Sequence, residues 1–344
     1  MGLIKNPCGF TRPMYVSLQL HITGRCNLRC THCYMEEHAS EVPYADVKRA
    51  LKQFDELIGR LKKQRNEQVV PLLRITGGEP LMHKDVLEIL RYVRRKGYIV
   101  GIMSNGTLLN EKILCELKKI KRLQAFQVSI DGDEGTHDLI RGRGNYKDTV
   151  GALDLLYANG IKTRVSFTAN ADNFRQFSNV ATVCRKHHVS SLWSDRCIPF
   201  AFNQSTILTK DMMPDYIALL KREAENPLNA TVGLRVENHR ALQFIGSDHA
   251  TPYYCKAGEE LITVDEKGSI MPCRRLPIDC GNIADTTLSD VYLKHEVFTS
   301  LRSHELPKEC SVCEHACFCK GGARCMAYAV TGDFIKADPG CFLI

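Results

Sequence analysis

Apolar and polar residues along this 344-residue chain follow two alternating periods. Period-two stretches at 15–22, 72–76, 99–103, 125–130, 162–169 and 190–197 predict strands, the first patterned by Val16, Leu18, Leu20 and Ile22. Between them, apolar residues three and four apart predict helices over 42–61, 84–95, 110–120, 145–159 and 173–187. The first helix carries the stripe Val47, Ala50, Leu51, Phe54, Leu57, Ile58 and Leu61. Strand and helix alternate at the spacing of βα units. Six such units predict an α/β fold, a partial (β/α)6 TIM-type barrel with its functional loops at the carboxyl ends of the strands.

The pattern changes after residue 200. A helix over 211–224 (Met212, Tyr216, Leu219, Leu220) predicts a bridge. Strands at 262–264 and 270–271, turning through Gly268, then predict a hairpin within a small cysteine-rich region. The expected division is a lead-in at 1–14, the barrel at 15–200, a bridge at 201–250 and a cysteine-rich domain at 251–344.

Composition narrows the function. The formal net charge is +7, with Lys and Arg scattered along helices, so a specific nucleic-acid interface is not indicated. The first nine residues lack the apolar core of a signal peptide, and no apolar run approaches the ~18 residues of a membrane span. A reducing cytoplasm is expected. The sixteen cysteines therefore read as metal ligands rather than disulfides.

Three of them, Cys26, Cys30 and Cys33, crowd one short loop after the first strand in a C-x3-C-x2-C pattern followed by Tyr34. A zinc site takes four ligands, which His21 or His32 would complete. An iron–sulfur cubane takes four cysteines, so three leave one iron open. The C-x3-C-x2-C spacing resembles the signature of the radical S-adenosylmethionine (SAM) family. The resemblance implies a cluster whose open iron chelates SAM and cleaves it to methionine and a deoxyadenosyl radical. It also implies an electron donor such as flavodoxin or ferredoxin.

The other strand ends fit that family. Strand two ends in Gly77-Gly78-Glu79-Pro80, where two glycines admit close backbone approach to a ligand; it resembles the family segment that holds the SAM amino group. Ser104 and Asn105, Ser129 and Asp131, and Thr168 and Asn170 follow at the next three strand ends. The resemblance implies that Ser and Asn there contact the ribose and carboxylate of SAM. The segment at 137–142 resembles the one whose Arg pairs with the SAM carboxylate, which makes Arg141 the expected partner. Arg196, at the end of strand six, is expected to face SAM or substrate.

The C-terminal cysteines resemble the SPASM extension of radical SAM peptide-modifying enzymes. That resemblance implies two auxiliary clusters, hence three Fe–S clusters in all. Cys255, Cys273 and Cys325 would hold the first auxiliary cluster, and Cys310, Cys313, Cys319 and Cys341 the second. The usual third cysteine of the first set falls at Ala323, and Cys325 lies two residues later. This variation resembles the enzyme that cross-links Glu and Tyr in pyrroloquinoline quinone formation. Cys280, Cys317, a non-cysteine group, substrate or nothing remain open as the fourth ligand. Cys115 and Cys184 are expected in the core, and Cys8, His239 and His249 off any metal.

The expectation is a radical SAM maturase acting on a ribosomally made peptide. With the barrel starting near residue 15, a separate leader-binding protein or a direct groove would receive that peptide. The tail at 327–333 also resembles tetrapyrrole-modifying relatives, the nearest alternative. Sulfatase maturation fits less well, because Cys273 is followed by Arg274 where those enzymes carry Asp. A zinc-binding interaction module is the alternative from another class.

Overall fold

The structure, a computed structural model, describes residues 4–5, 11–65, 69–200, 203, 206–238, 240–245 and 254–344. Two short antiparallel strands, β1 (Ile4–Lys5) and β2 (Thr11–Arg12), precede the barrel. The barrel strands are β3 (Met14–His21), β4 (Val69–Thr76), β5 (Ile99–Ser104), β6 (Leu123–Ser129), β7 (Thr163–Ala169) and β8 (Ser191–Arg196). They pair parallel and in sequence order. The helices between them are α1 (Tyr44–Arg65), α2 (Val86–Lys96), α3 (Glu111–Lys118), α4 (Glu134–Arg141), α5 (Asn145–Ala158) and α6 (Phe177–Lys186). The partial barrel is as the periodicity predicts; α4 is an added short helix.

Each strand divides its faces. Leu18 and Leu20 of β3, Leu73 and Ile75 of β4 and Val128 of β6 are buried in the helix-facing core with the α1 stripe Val47, Leu51, Phe54 and Leu57. Alternation puts Gln19, Arg74, Gln127, Arg164 and Trp193 on the opposite, lumen face. Truncating a fully buried side chain such as Phe54 to Ala would cost about 3–5 kcal/mol.

Two findings go beyond the periodicity. The bridge contributes α7 (Met213–Ala224), α8 (Pro227–Val232) and β9 (Arg235–Glu237), which pairs parallel with β8. The expected hairpin, β10 (Leu261–Val264) and β11 (Ile270–Met271), does not stand apart, for β10 pairs parallel with β3 from Leu261↔Ser17 to Val264↔Leu20. One nine-stranded sheet results among the described residues. After the hairpin come α9 (Leu288–Lys294), α10 (Glu296–Ser303), α11 (Ala316–Cys319) and α12 (Arg324–Thr331). Gln53 of α1 pins this segment: its Nε2 donates to Ile283 O at 3.0 Å and its Oε1 accepts from Leu288 N at 3.0 Å.

Candidate active site

The loop after β3 carries Cys26, Cys30 and Cys33, all with free thiols. Backbone N–H groups of Leu28 and Met35 donate to Cys26 Sγ and Cys33 Sγ, each at 3.4 Å. Burial pushes the Cys26 thiol up to about 11, and Glu79, Cys30 and Cys33 nearby add to the rise. Cys30 is also raised by burial, against the guanidinium of Arg141.

The Gly-Gly-Glu segment packs on this loop. Gly78 N donates to Thr23 O and Glu79 N to Arg25 O, each at 2.8 Å. A Cβ at Gly78 would lie 2.5 Å from Arg25 O, so the glycine is required by the loop itself. Pro80 opens a single 3₁₀ turn, where its missing N–H costs nothing. The Glu79 carboxylate is fully buried and accepts from Ser104 Oγ (2.8 Å), Leu81 N (3.0 Å) and Asn105 N (2.7 Å). Burial raises it to about 7 against those three bonds. Asn105 Nδ2 in turn donates to Asn27 Oδ1 at 2.9 Å, tying the end of β5 into the cysteine loop.

A buried ion pair faces the loop from the other side. Arg141 Nε donates to Asp131 Oδ2 at 2.5 Å, its Nη1 reaches Cys30 Sγ at 3.7 Å, and its Nη2 lies 3.4 Å from His32 Nε2. Burial disfavours the Asp131 carboxylate, but Arg141 and His32 hold it below the usual range. Asp131 Oδ1 accepts from Thr168 N at 2.8 Å. Ser129 Oγ meets Ser166 Oγ at 3.2 Å. Asn170 caps a turn, its Oδ1 accepting from Asp172 N and Asn173 N. Sequence reasoning missed Asn27, His32 as a partner of Arg141, and Ser166; only the alternation of β7 signals the last.

The C-terminal cysteines form two groups. Cys310, Cys313, Cys319 and Cys341 line one cavity. Cys255, Cys273 and Cys325 gather in a small apolar cluster with Leu276, Ala323 and Met326. Burial, then Cys255, raises Cys273 to about 11. Burial also raises Cys310, Cys319 and Cys325, and metal binding ionises thiols that burial keeps protonated. Among the described residues, no three His, Cys, Asp or Glu side chains stand close enough to hold a single metal ion. Each donor set offers the cysteine thiols that, once ionised, an iron–sulfur cluster takes.

The radical SAM superfamily model matches residues 20–173 and that of the SPASM iron–sulfur cluster-binding domain residues 255–314. This chain is a radical SAM enzyme with a SPASM domain. It is 28% identical over 348 residues to the AdoMet-dependent heme synthase of Methanosarcina barkeri, covering 93% of this chain and 94% of that one. It is 26% identical over 348 residues to the PqqA peptide cyclase of Gluconobacter oxydans, covering 95% and 90%. Its fold is similar to that of Streptococcus suis SuiB bound to S-adenosylmethionine, with a TM-score of 0.75 at 16% identity, over 95% of this chain and 77% of that one.

Arg196, at the end of β8, has a partner far along the chain. Its Nη1 donates to Asp338 Oδ1 at 2.9 Å in a buried pair, and its Nη2 bonds Asp338 Oδ2. Asp338 Oδ2 also accepts from Ala323 N at 2.9 Å. Arg196 thus fastens the C-terminal tail to the end of β8. Cys280 packs in the main core, donating to Ile278 O at 3.4 Å, away from the Cys255 trio. Cys317 is disulfide-bonded, contrary to the expectation that the cysteines stay unpaired, and offers no thiol to that trio. Cys184 is buried as expected, but Cys115 is exposed because its place on α3 turns to solvent. Cys8, His239 and His249 lie outside the described residues. No described helix is long and apolar enough to cross a membrane.

Proposed function

We propose that this radical SAM enzyme abstracts hydrogen from an unactivated carbon of a peptide, as a maturase of ribosomally made peptides. One observation carries the reading: Cys325 gathers with Cys255 and Cys273 although the usual cysteine position is Ala323. This arrangement resembles the peptide cross-linking branch, and the PqqA cyclase similarity over 95% of the chain supports it. A second reading, oxidation of a tetrapyrrole side chain, is supported by the 28% identity to a heme synthase and by the tail at 327–333.

Cys26, Cys30 and Cys33 would hold a cluster that, when bound, supplies the electron for reductive SAM cleavage. The two C-terminal groups would hold auxiliary clusters, three in all, with flavodoxin or ferredoxin as electron donor in the cytoplasm. A separate leader-binding protein is proposed as a further partner. Gly77, Gly78, Ser104, Asn105, Ser129, Asp131, Arg141, Thr168 and Asn170 are the proposed surround of SAM. A guanidinium has five N–H donors, and Arg141 directs three of its groups to Asp131, Cys30 and His32. The remaining N–H donors would hold a carboxylate. Glu79 holds Asn105 in place, and Arg141 keeps positive charge beside Cys30.

The test is anaerobic incubation of the reconstituted enzyme with SAM, reductant and a deuterated substrate. Deuterium passing into deoxyadenosine from a deuterated precursor peptide supports the first reading. Transfer only from a porphyrin deuterated on its propionates rejects it in favour of the second.

A further inference from the structure

Below the mouth of the barrel, its lumen holds three arginines. Arg74 is on β4, Arg164 on β7, and Arg240 just beyond β9. Among the described residues Arg164 is ion-paired with Glu237, and Glu237 is shared with Arg235. Arg74 and Arg240 form no ion pair among the described residues. The Nε atoms of Arg164 and Arg240 are buried without a hydrogen-bond partner. The lone tryptophan, Trp193, gathers the group: Arg240 Cζ lies 4.0 Å and Arg164 Cζ 5.8 Å from its ring centroid. Trp193 is itself fixed by donation from Nε1 to Gln127 Oε1 at 3.1 Å.

Burial, then the like charges of Arg240 and Arg164, push Arg74 down to about 10. Glu237 and Asp195 are the carboxylates that act on these half-buried guanidinium groups, and Glu237 is committed to Arg164 and Arg235 and Asp195 to Arg275, so the surplus positive charge and the unsatisfied donors favour an incoming anion. There is room for one. Arg74 pairs in register with Gly101 on β5, and a Cβ at Gly101 would meet nothing within 4 Å. Neighbours in register on parallel strands share a face, so the open space lies beside Arg74.

We propose that Arg74 and Arg240, backed by Arg164 on Trp193, anchor a carboxylate of the substrate in the barrel lumen. The inference rests on the enzyme taking an organic substrate at the barrel mouth, and it narrows that substrate to one bearing carboxylates. Planar guanidinium forks suit such a group better than ammonium. A peptide Glu or Asp and a tetrapyrrole propionate present the same chemistry.

Equilibrium dialysis of the reconstituted enzyme against two ligand pairs tests the anchor and separates the sources. One pair is coproporphyrin III and its tetraamide; the other is dansyl-Gly-Glu-Gly-Glu-amide and its Gln counterpart. In one pair the acid should bind at least tenfold tighter than the amide, and that pair names the source. The ratio should fall to about one in an Arg74→Gln/Arg240→Gln variant and return in part in Arg74→Lys/Arg240→Lys. Absence of any acid preference in the unaltered enzyme overturns the anchor, as does a preference that survives the Gln changes. Deuterium transfer reads the hydrogen abstraction independently and can succeed where this charge test fails.

Discussion

Arg141 Nε sits 2.5 Å from Asp131 Oδ2, in a buried pair whose guanidinium Nη1 reaches Cys30 Sγ at 3.7 Å. The pair joins the C-terminus of α4, the end of β6 and the cysteine loop. Arg141→Ala would leave the buried Asp131 carboxylate with only Thr168 N and His32 beside it, at a cost of up to about 3–5 kcal/mol. Chemical denaturation should show that loss, and SAM binding to the reconstituted protein should weaken. Unchanged stability would show that the pair carries little of the fold.

Glu79 accepts from three donors, so Glu79→Gln must turn its NH₂ toward one of them. A loss of about 1–3 kcal/mol is expected, with less iron retained as Asn105 loosens from Asn27. The pH sign is also defined. With the folded pKa raised to about 7 from 4.5, the folded state keeps a proton that the unfolded state has lost. Stability from this group therefore falls as pH rises from about 4.5 to about 7. Melting temperature followed across that window should lose this falling component in Glu79→Gln.

His137 gives the opposite slope. Burial, then Arg141, lowers it to about 4, and its Nδ1 accepts from Asp131 N at 3.3 Å as a neutral imidazole. The unfolded state gains a proton below about 6.5, so stability falls as pH drops from there to about 4. His137→Asn keeps an acceptor without titrating and should flatten the acid limb of the stability profile. An unchanged acid limb would assign the sensitivity to another group.

The Arg196–Asp338 pair makes a separate prediction. Asp338→Asn should cost about 3–5 kcal/mol, because Arg196 keeps its charge in a buried site. Cys341 N donates to Asp338 O at 2.9 Å, so iron held by the Cys310 group should also drop. Arg196→Met with Asp338→Leu should recover part of the stability. Iron analysis beside urea midpoints would check both.

The three cysteine groups should load independently. A Cys26/Cys30/Cys33 triple Ala variant should lose SAM cleavage yet keep auxiliary iron, measured after anaerobic reconstitution. Loss of all iron would show that the groups assemble together.

By itself the sequence determined the periodic parts: six strands, their helices and the cysteine loop at the end of the first strand. Each is written locally, as period-two or helical apolar spacing, or as cysteines a few residues apart. The tertiary structure alone decided what lies far apart in the chain. β10 pairs with β3 across more than two hundred residues, a partnership that its own four residues cannot encode. Arg196 looked like a mouth residue because it ends a barrel strand, but Asp338 claims it from the tail. The lumen arginines show the same limit. Arg74, Arg164 and Arg240 lie far apart in the chain, and only the pairing of β4 through β9 in one sheet puts them on a common face. Local spacing fixes which face a side chain takes, whereas pairing of distant strands fixes what it meets there.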